Sequence, residues 1–414
     1  MMTTQTMTLP SHLSTVEKSA RSFAFACLSK ITAGTLTVVE QFGQGKAVHR
    51  ESFGGNNDNQ LKAVIEVKHP QFYSRLLKGG SIAAGEAYMD GWWDSPNLTD
   101  LMELMARNLS ALDSIESRMT WLSVLATKAS HWFNRNTVVN SEKNIREHYD
   151  LSNALYETFL DKRMLYSSGI YQSPLDSLEQ AQINKMERLC QQLQLTKDDH
   201  VVEIGTGWGS MAIYMAQNYG CKVTTTTISQ AQYEYAQAKI QELELTKQIT
   251  LLKKDYRDLE GQYDKLVSIE MIEAVGKQFM ATYFEKCQSL LKPKGRMAIQ
   301  AITIADQRYD SYSNNVDFIQ KYIFPGGFLP SITALTQTST HRTDLVLRDL
   351  FDIGKDYAKT LNDWSVRFNQ ELDKVGRLGF DERFVRMWNY YFSYCEGGFK
   401  AQSISTVHMT FQRP

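Results

Sequence analysis

Cysteine is scarce and scattered: five residues in 414 (Cys27, Cys190, Cys221, Cys287, Cys395), with no CxxC spacing. An odd, dispersed set excludes a disulfide framework and a cysteine-based zinc site, and it suits a reducing compartment. Proline (8) and glycine (24) are also few, which excludes collagen-like and low-complexity disordered chains. Neither sign of charge is in excess. Lysine and arginine number 45 against 46 acids, a net charge of −1, so the balance gives no sign of a nucleic-acid partner. No apolar run approaches the roughly 18 residues that cross a bilayer. The amino terminus shows no charged stretch leading into an apolar core, so neither a span nor a signal peptide is expected. Any membrane contact is then made from the surface. What is present is ordinary globular composition, 43% hydrophobic and 22% charged, in a chain long enough for two or three domains.

Residues 1 to 15 are rich in Thr, Ser and Met without periodicity and read as a frayed lead-in. Alternation over 35–39, 47–49 and 63–67, broken by Gly54-Gly55-Asn56-Asn57, predicts a small antiparallel sheet. Helical spacing follows over 69–77, 82–89 and 99–105, which makes the first hundred residues an α+β domain. Between 110 and 133, Leu112, Ile115, Met119, Leu122 and Leu125 fall on one helical face, with Trp121, Trp132, Phe133, Arg118 and Lys128 nearby. Such a stripe is either a core-facing helix or an amphipathic linker that touches lipid. The polar stretch 134–144 marks the boundary, placing one domain over 1–135 and a second over 136–414.

In the second domain, short apolar strands at 201–204, 222–227, 249–252, 263–269 and 296–303 alternate with helical patterns at 211–217, 231–243 and 279–291. That order predicts a doubly wound parallel sheet, an α/β fold. The first strand runs through Glu203 into Gly205-Thr206-Gly207-Trp208-Gly209 and then a helix. Glycines there let the backbone approach a ligand, and the helix start offers free amides. The third glycine of a dinucleotide fingerprint and the lysine of a P-loop are both missing. An acid closing the first strand, followed by GxG, is the arrangement of S-adenosylmethionine methyltransferases.

The specific match is wider. Residues 144–156 and 159–171, Glu203 to Gly209, Thr227-Ile228-Ser229-Gln230-Ala231-Gln232, 255–258, Met271-Ile272-Glu273-Ala274-Val275-Gly276, 322–331 and Cys395-Glu396-Gly397-Gly398-Phe399 follow one another in order. As a set they resemble the cyclopropane-fatty-acyl-phospholipid synthase family, which includes the mycolic acid cyclopropane synthases. Upstream, Gly85-Glu86-Ala87-Tyr88-Met89-Asp90-Gly91-Trp92-Trp93 resembles the longer bacterial members, with a smaller N-terminal lipid-binding domain before a Rossmann-like class I methyltransferase domain.

The resemblance implies S-adenosylmethionine over the glycine turn. Tyr166 and Ser167 would cover its methionine end, Glu203, Gly205, Gly207 and Gly209 the turn, Thr227, Ser229 and Gln232 the ribose, and Tyr256 with Arg257 the adenine. From the residues alone, Ser229 is also an ordinary helix N-cap. The family adds a methyl to a cis alkene and holds bicarbonate as base through a cysteine, a glutamate, a histidine and a tyrosine. Carried over, these become Ser168 in the cysteine position, Glu273, Gln300 in the histidine position, and Tyr357, with Ala274 replacing a histidine that commonly follows the glutamate. Cys395 matches a pocket-lining cysteine, and Tyr322, Phe324, Phe328 and Leu329 form either the lip of an acyl channel or a packed cap.

The implied substrate is an unsaturated acyl chain of a membrane phospholipid, met at the cytoplasmic membrane face by a peripheral enzyme, with a homodimer as a further expectation. The implied product is a cyclopropane fatty acid. The departures at Ser168, Gln300 and Ala274 leave open a methyl-branched unsaturated product, and a decayed lipid-binding protein is the reading from another class.

Overall fold

The computed structural model describes residues 13–42, 48–55, 61–109 and 152–414. The stripe at 110–133, the polar boundary at 134–144 and the start of the 144–156 motif lie outside the described residues. The chain divides into two compact units, Met1–Ala129 with Phe380–Ser403, and Ser130–Gly379 with Ile404–Pro414.

In the first unit a helix, Thr15–Leu28, begins where the sequence reading ends its lead-in. Ser14 caps it by accepting from the Glu17 amide, and the Glu17 carboxylate accepts from the Ser14 amide in return. Four strands follow, β1 (Thr35–Glu40), β2 (His49–Gly54), β3 (Lys62–Val67) and β4 (Trp93–Asp94), in the order β2-β1-β3-β4. The sheet is mixed, which corrects the antiparallel expectation: β1 pairs antiparallel with β2 but parallel with β3. Alternation reports which face of a strand is buried, not which neighbour it takes. The expected helices at 69–77 and 82–89 are the two halves of Phe72–Met89, broken at Gly80 (φ 56°, ψ −142°). Buried Glu40 accepts from Arg21 Nε at 2.7 Å and from Tyr73 OH at 2.7 Å, tying β1 to both helices.

The helix Glu382–Lys400 also belongs to this unit, although the sequence reading assigns it to the second domain. It lies against the helix Leu98–Arg107 so closely that a Cβ on Gly397 would sit 2.6 Å from the Glu103 amide nitrogen and from Met102 Cβ. Thr99 Oγ1 donates to Glu396 at 3.1 Å. Arg386 donates to the Tyr88 and Trp93 carbonyls at 2.6 and 3.0 Å.

The second unit holds seven strands in the order β10-β11-β9-β8-β5-β6-β7. Five of them, β5 (His200–Ile204), β6 (Lys222–Thr227), β7 (Ile249–Lys253), β8 (Tyr263–Ile269) and β9 (Leu291–Ile304), are neighbours and run parallel. Val202, Leu266 and Ile299 face one apolar cluster, while their neighbours Val201, Val267 and Ala298 face another. Both faces of the sheet are therefore covered, as a doubly wound α/β fold requires. β11 (Ile404–Gln412) extends the sheet antiparallel to β9, and β10 (Val346–Asp352) pairs antiparallel with β11. The carboxyl ends of β5, β6, β8 and β9 meet at the reversal of strand order, where ligands of this fold class sit.

Candidate active site

The turn after β5 depends on glycine. Gly205, Gly207 and Gly209 have φ of 98°, 52° and 96°, a region that costs a side-chain-bearing residue about 1–2 kcal/mol. A Cβ at Gly207 would meet nothing within 4 Å, because a cavity opens there. One at Gly209 would stand 3.2 Å from Ala236 Cβ, so that glycine serves helix packing, and it does not line the cavity. Tyr166, Ser167, Glu203, Thr227, Gln232, Tyr256 and Arg257 all line the cavity.

Glu203 is buried and accepts from Thr225 Oγ1 at 2.6 Å. Burial pushes its carboxyl up to about 8. A buried acid with one hydroxyl donor, beside a cavity, suits a ligand that brings a cationic amine. Thr227 Oγ1 donates to Gln232 Oε1 at 3.0 Å, which orients the glutamine amide on the cavity wall. Ser229 accepts from the Gln232 amide as the N-cap of Gln230–Glu242 and does not line the cavity. Arg257 donates Nε and Nη2 to Asp255 at 2.8 and 2.6 Å, so its guanidinium is held flat at the cavity edge. These residues fit S-adenosylmethionine: open backbone below, an acid for its amine, and polar and aromatic groups at the far end.

A second cluster abuts the first. The Ser168 amide donates to Glu270 Oε1 at 3.0 Å, Gln300 Nε2 to the same oxygen at 2.7 Å, and Tyr357 OH to Oε2 at 2.7 Å. Ser168, Gln300 and Tyr357 are thus brought together as the resemblance implies, around a carboxylate that sequence reasoning missed. Glu270 directly follows β8, lines the cavity, and has a left-handed φ of 47°. An acid at the carboxyl end of an apolar strand was its signal, the same signal that singled out Glu273. Ser168 Oγ itself donates to the Gly169 carbonyl, away from Glu270.

Gln300 cannot rotate freely. His408, opposite it on β11, shares a 2.8 Å hydrogen bond between Nε2 and Gln300 Oε1, and Arg188 Nη1 lies 3.2 Å from His408 Nδ1. Burial, then the Arg188 charge, holds His408 well below its usual range, so it is neutral. With Arg188 donating to Nδ1, the ring proton is on Nε2 and the glutamine must accept there, leaving its NH2 for Glu270. Lys185 is fully buried and donates to Ser167 Oγ at 2.6 Å. Burial lowers its ammonium to about 8, against the opposing pull of Glu270 and Asp161. Nothing in the local sequence marks Lys185 or His408.

Glu273 sits just behind this cluster. One of its carboxyl oxygens accepts from the Ile302 amide, and its carbonyl accepts from Phe328 N at 2.9 Å. Oε2 is buried without a partner. Burial first, then the nearby Glu270 charge, pushes its carboxyl up to about 8. Glu273 does not line the cavity.

Of the expected channel residues, Phe324 lies near Tyr166 (ring centroids 6.1 Å) and Phe328 packs on Tyr309 and Tyr312 (5.7 Å each). Tyr322 packs on Phe318 with the rings tilted, and the Leu329 amide donates to Tyr312 OH. None of the four lines the cofactor cavity. Cys395 is on the helix Glu382–Lys400 of the first unit and is not part of the cavity wall. The glycine two residues on serves close helix packing.

A family model described as mycolic acid cyclopropane synthetase matches residues 137–409. The tuberculostearic acid methyltransferase UfaA1 of Mycobacterium tuberculosis is 36% identical over 346 residues, covering 82% of this chain and 80% of that protein. The cyclopropane-fatty-acyl-phospholipid synthase of Escherichia coli is 37% identical over 354 residues, covering 85% and 88%. Among solved structures, the cyclopropane synthase MmaA2 of Mycobacterium tuberculosis aligns with a TM-score of 0.62 at 24% identity, over 66% of this chain and 98% of that one, a likeness of fold.

Proposed function

Because the chain belongs to the mycolic acid cyclopropane synthetase family and is an S-adenosylmethionine-dependent methyltransferase, we propose that it alkylates the double bond of an unsaturated acyl chain in a membrane phospholipid and closes a cyclopropane ring. The supporting observation is the junction of the two clusters: Glu270 belongs both to the wall of the cofactor cavity and to the Ser168–Gln300–Tyr357 hydrogen-bond set.

Bound S-adenosylmethionine supplies an electrophilic methyl group, and Glu203, the Gly205–Gly207 turn, Gln232 and Tyr256 would hold it. The protein's own tasks are alignment, exclusion of water and removal of one proton. Buried Tyr156, Phe159 and Trp364 surround Tyr166 and keep that side of the cavity dry. Phe324 adds to this apolar cluster beside Tyr166, and we take the aromatic segment 322–329 as the side from which the acyl chain enters. In this reading the substrate is met at the membrane surface. Among the described residues no helix is long and apolar enough to cross a membrane.

A second reading is favoured by one observation. A neutral glutamine amide, fixed by His408, stands where the resemblance places an imidazole. It can donate but cannot shuttle a proton. If the proton leaves a neighbouring chain carbon instead of the added methyl, the product is a methyl-branched alkene. The test is incubation with unsaturated phospholipid vesicles and methyl-labelled cofactor, followed by proton NMR of the fatty acids. Label in acyl chains with loss of the olefinic signal is expected. Label with a retained olefinic signal selects the branched product, and no acyl label rejects acyl-chain transfer.

A further inference from the structure

The positions that the resemblance assigns to a bicarbonate cradle are already engaged. Ser168 N, Gln300 Nε2 and Tyr357 OH come from three separate segments and converge on one planar carboxylate. That carboxylate is the chain's own. A carboxylate and a bicarbonate present the same pair of oxygens to such donors, so the three cannot hold both at once. Bicarbonate therefore does not fit beside Glu270 in this site.

The backbone shows that the arrangement is specific. Glu270 adopts φ of 47°, a conformation in which a side-chain-bearing residue is strained. Its amide is fixed by the Gln300 carbonyl at 2.8 Å. The side chain is held between a backbone donor, an amide clamped by His408, and a phenol, and it faces the cavity wall formed also by Met271 and Ala274.

We propose that Glu270 is the base of this enzyme, a built-in carboxylate in place of a bound bicarbonate. This rests on the acyl-chain reading above. The π pair of the alkene forms the carbon–carbon bond to the methyl as the methyl–sulfur bond breaks, its pair leaving with the sulfur as a neutral thioether, and the second alkene carbon is left electron-deficient. A C–H bond of the added methyl then breaks. Its electron pair closes the ring onto the deficient carbon, and its proton passes to a Glu270 oxygen, which becomes a neutral carboxylic acid. In the branched outcome the same oxygen takes the proton from the adjacent chain carbon, and the pair forms a new double bond. Burial raises the Glu270 carboxyl too, but the Ser168 amide, the Tyr357 hydroxyl, the Lys185 charge and the Gln300 amide all favour its charged form, whereas Glu273 has burial and the Glu270 charge both pushing it toward neutrality.

The experiment compares wild type with Glu270→Gly. Glycine suits φ of 47° and removes the carboxylate while leaving the three donors facing open space. In carbonate-free buffer the wild type should turn over labelled cofactor on unsaturated phospholipid vesicles as fast as with added bicarbonate. Glu270→Gly should lose about a hundredfold in turnover, the scale of a removed acid–base group, with cofactor affinity intact and partial recovery on adding bicarbonate. Carbon-13 NMR of labelled bicarbonate gives a readout independent of activity: exchange broadening is expected with Glu270→Gly and not with wild type. Wild-type turnover that requires bicarbonate, full turnover by Glu270→Gly without carbonate, or equal broadening by both proteins would each overturn the proposal. No labelled acyl chain under any condition rejects the acyl-transfer reading instead, and the NMR arm still decides whether the donors are filled.

Discussion

The Tyr357 hydroxyl donates to Glu270 Oε2 at 2.7 Å, joining the helix Gly354–Gln370 to the end of β8 across 87 residues of chain. A donor to a carboxylate stabilises its charged form. Tyr357→Phe removes one of three such donors, so the Glu270 carboxyl should take up its proton at higher pH. The acidic limb of the kcat/KM profile should shift to higher pH, with cofactor affinity unchanged. An unshifted profile would separate Tyr357 from the base.

Glu203 gives a second pH dependence. Burial holds its carboxyl at about 8 in the free protein, so at pH 7 it is mostly protonated. A cationic amine beside it favours the carboxylate and expels that proton. Cofactor binding at pH 7 should therefore release most of one proton, read by calorimetry in buffers of different ionisation enthalpy. Glu203→Gln should weaken binding and abolish the release.

Gly207 tests the turn. Gly207→Val puts a branched side chain into the open space of the cavity at φ of 52°. Cofactor binding should be lost, while Gly209→Ala, which crowds Ala236 instead, should lower the melting temperature more than the affinity. Near-normal affinity of a folded Gly207→Val protein would remove the turn from the site.

Glu273→Gln keeps the bond from Ile302 and removes the ionisable group. Turnover should fall by about a hundredfold if the neutral acid assists Glu270. Stability responds separately. A carboxyl raised from 4.5 to about 8 in the folded state favours folding while protonated, a contribution present below about pH 4.5 and lost as pH rises through 8. The melting temperature of the cofactor-free wild type should fall across that window, and Glu273→Gln should flatten the decline. Normal turnover with a flattened stability curve would make Glu273 purely structural.

Gly397 tests the reassignment of the C-terminal motif. Gly397→Val drives a side chain into Met102 and the Glu103 backbone, so it should destabilise the first unit by several kcal/mol, the scale of overpacking at backbone. Cofactor affinity of the folded fraction should be unchanged, and Cys395→Ser should turn over normally. The same packing changes how the first unit can be removed. Deleting residues 1–135 alone would strip Tyr88 and Trp93 from buried Tyr390 and leave the helix Glu382–Lys400 without the helix Leu98–Arg107 it packs on, so that truncation should aggregate.

The parallel core and the glycine turn were legible because both are local: short apolar strands, helical spacing between them, and a strand-to-helix turn whose φ values only glycine adopts easily. The β1–β3 pairing was not, since strand choice is made by distant chain. Nor was the membership of Glu382–Lys400 in the first unit, because its apolar face says only that it is covered, not by what. At the site, the resemblance grouped Ser168, Gln300 and Tyr357, which meet at Glu270, yet that carboxylate was missed. Glu270 lies one residue before the quoted motif. Its role emerges only when the Ser168 segment, β9 and the helix Gly354–Gln370 bring their donors to the end of β8.

The most direct measurement uses S-adenosylmethionine with a trideuterated methyl and vesicles of a cis-unsaturated phospholipid, counting deuterium in the recovered acyl chains. Removal of a proton from the added methyl leaves two deuterium atoms in a cyclopropane, and this is the expected result, unchanged in carbonate-free buffer. Three retained deuterium atoms would place the lost proton on the chain and contradict ring closure. Acyl chains without deuterium would contradict the assigned reaction altogether.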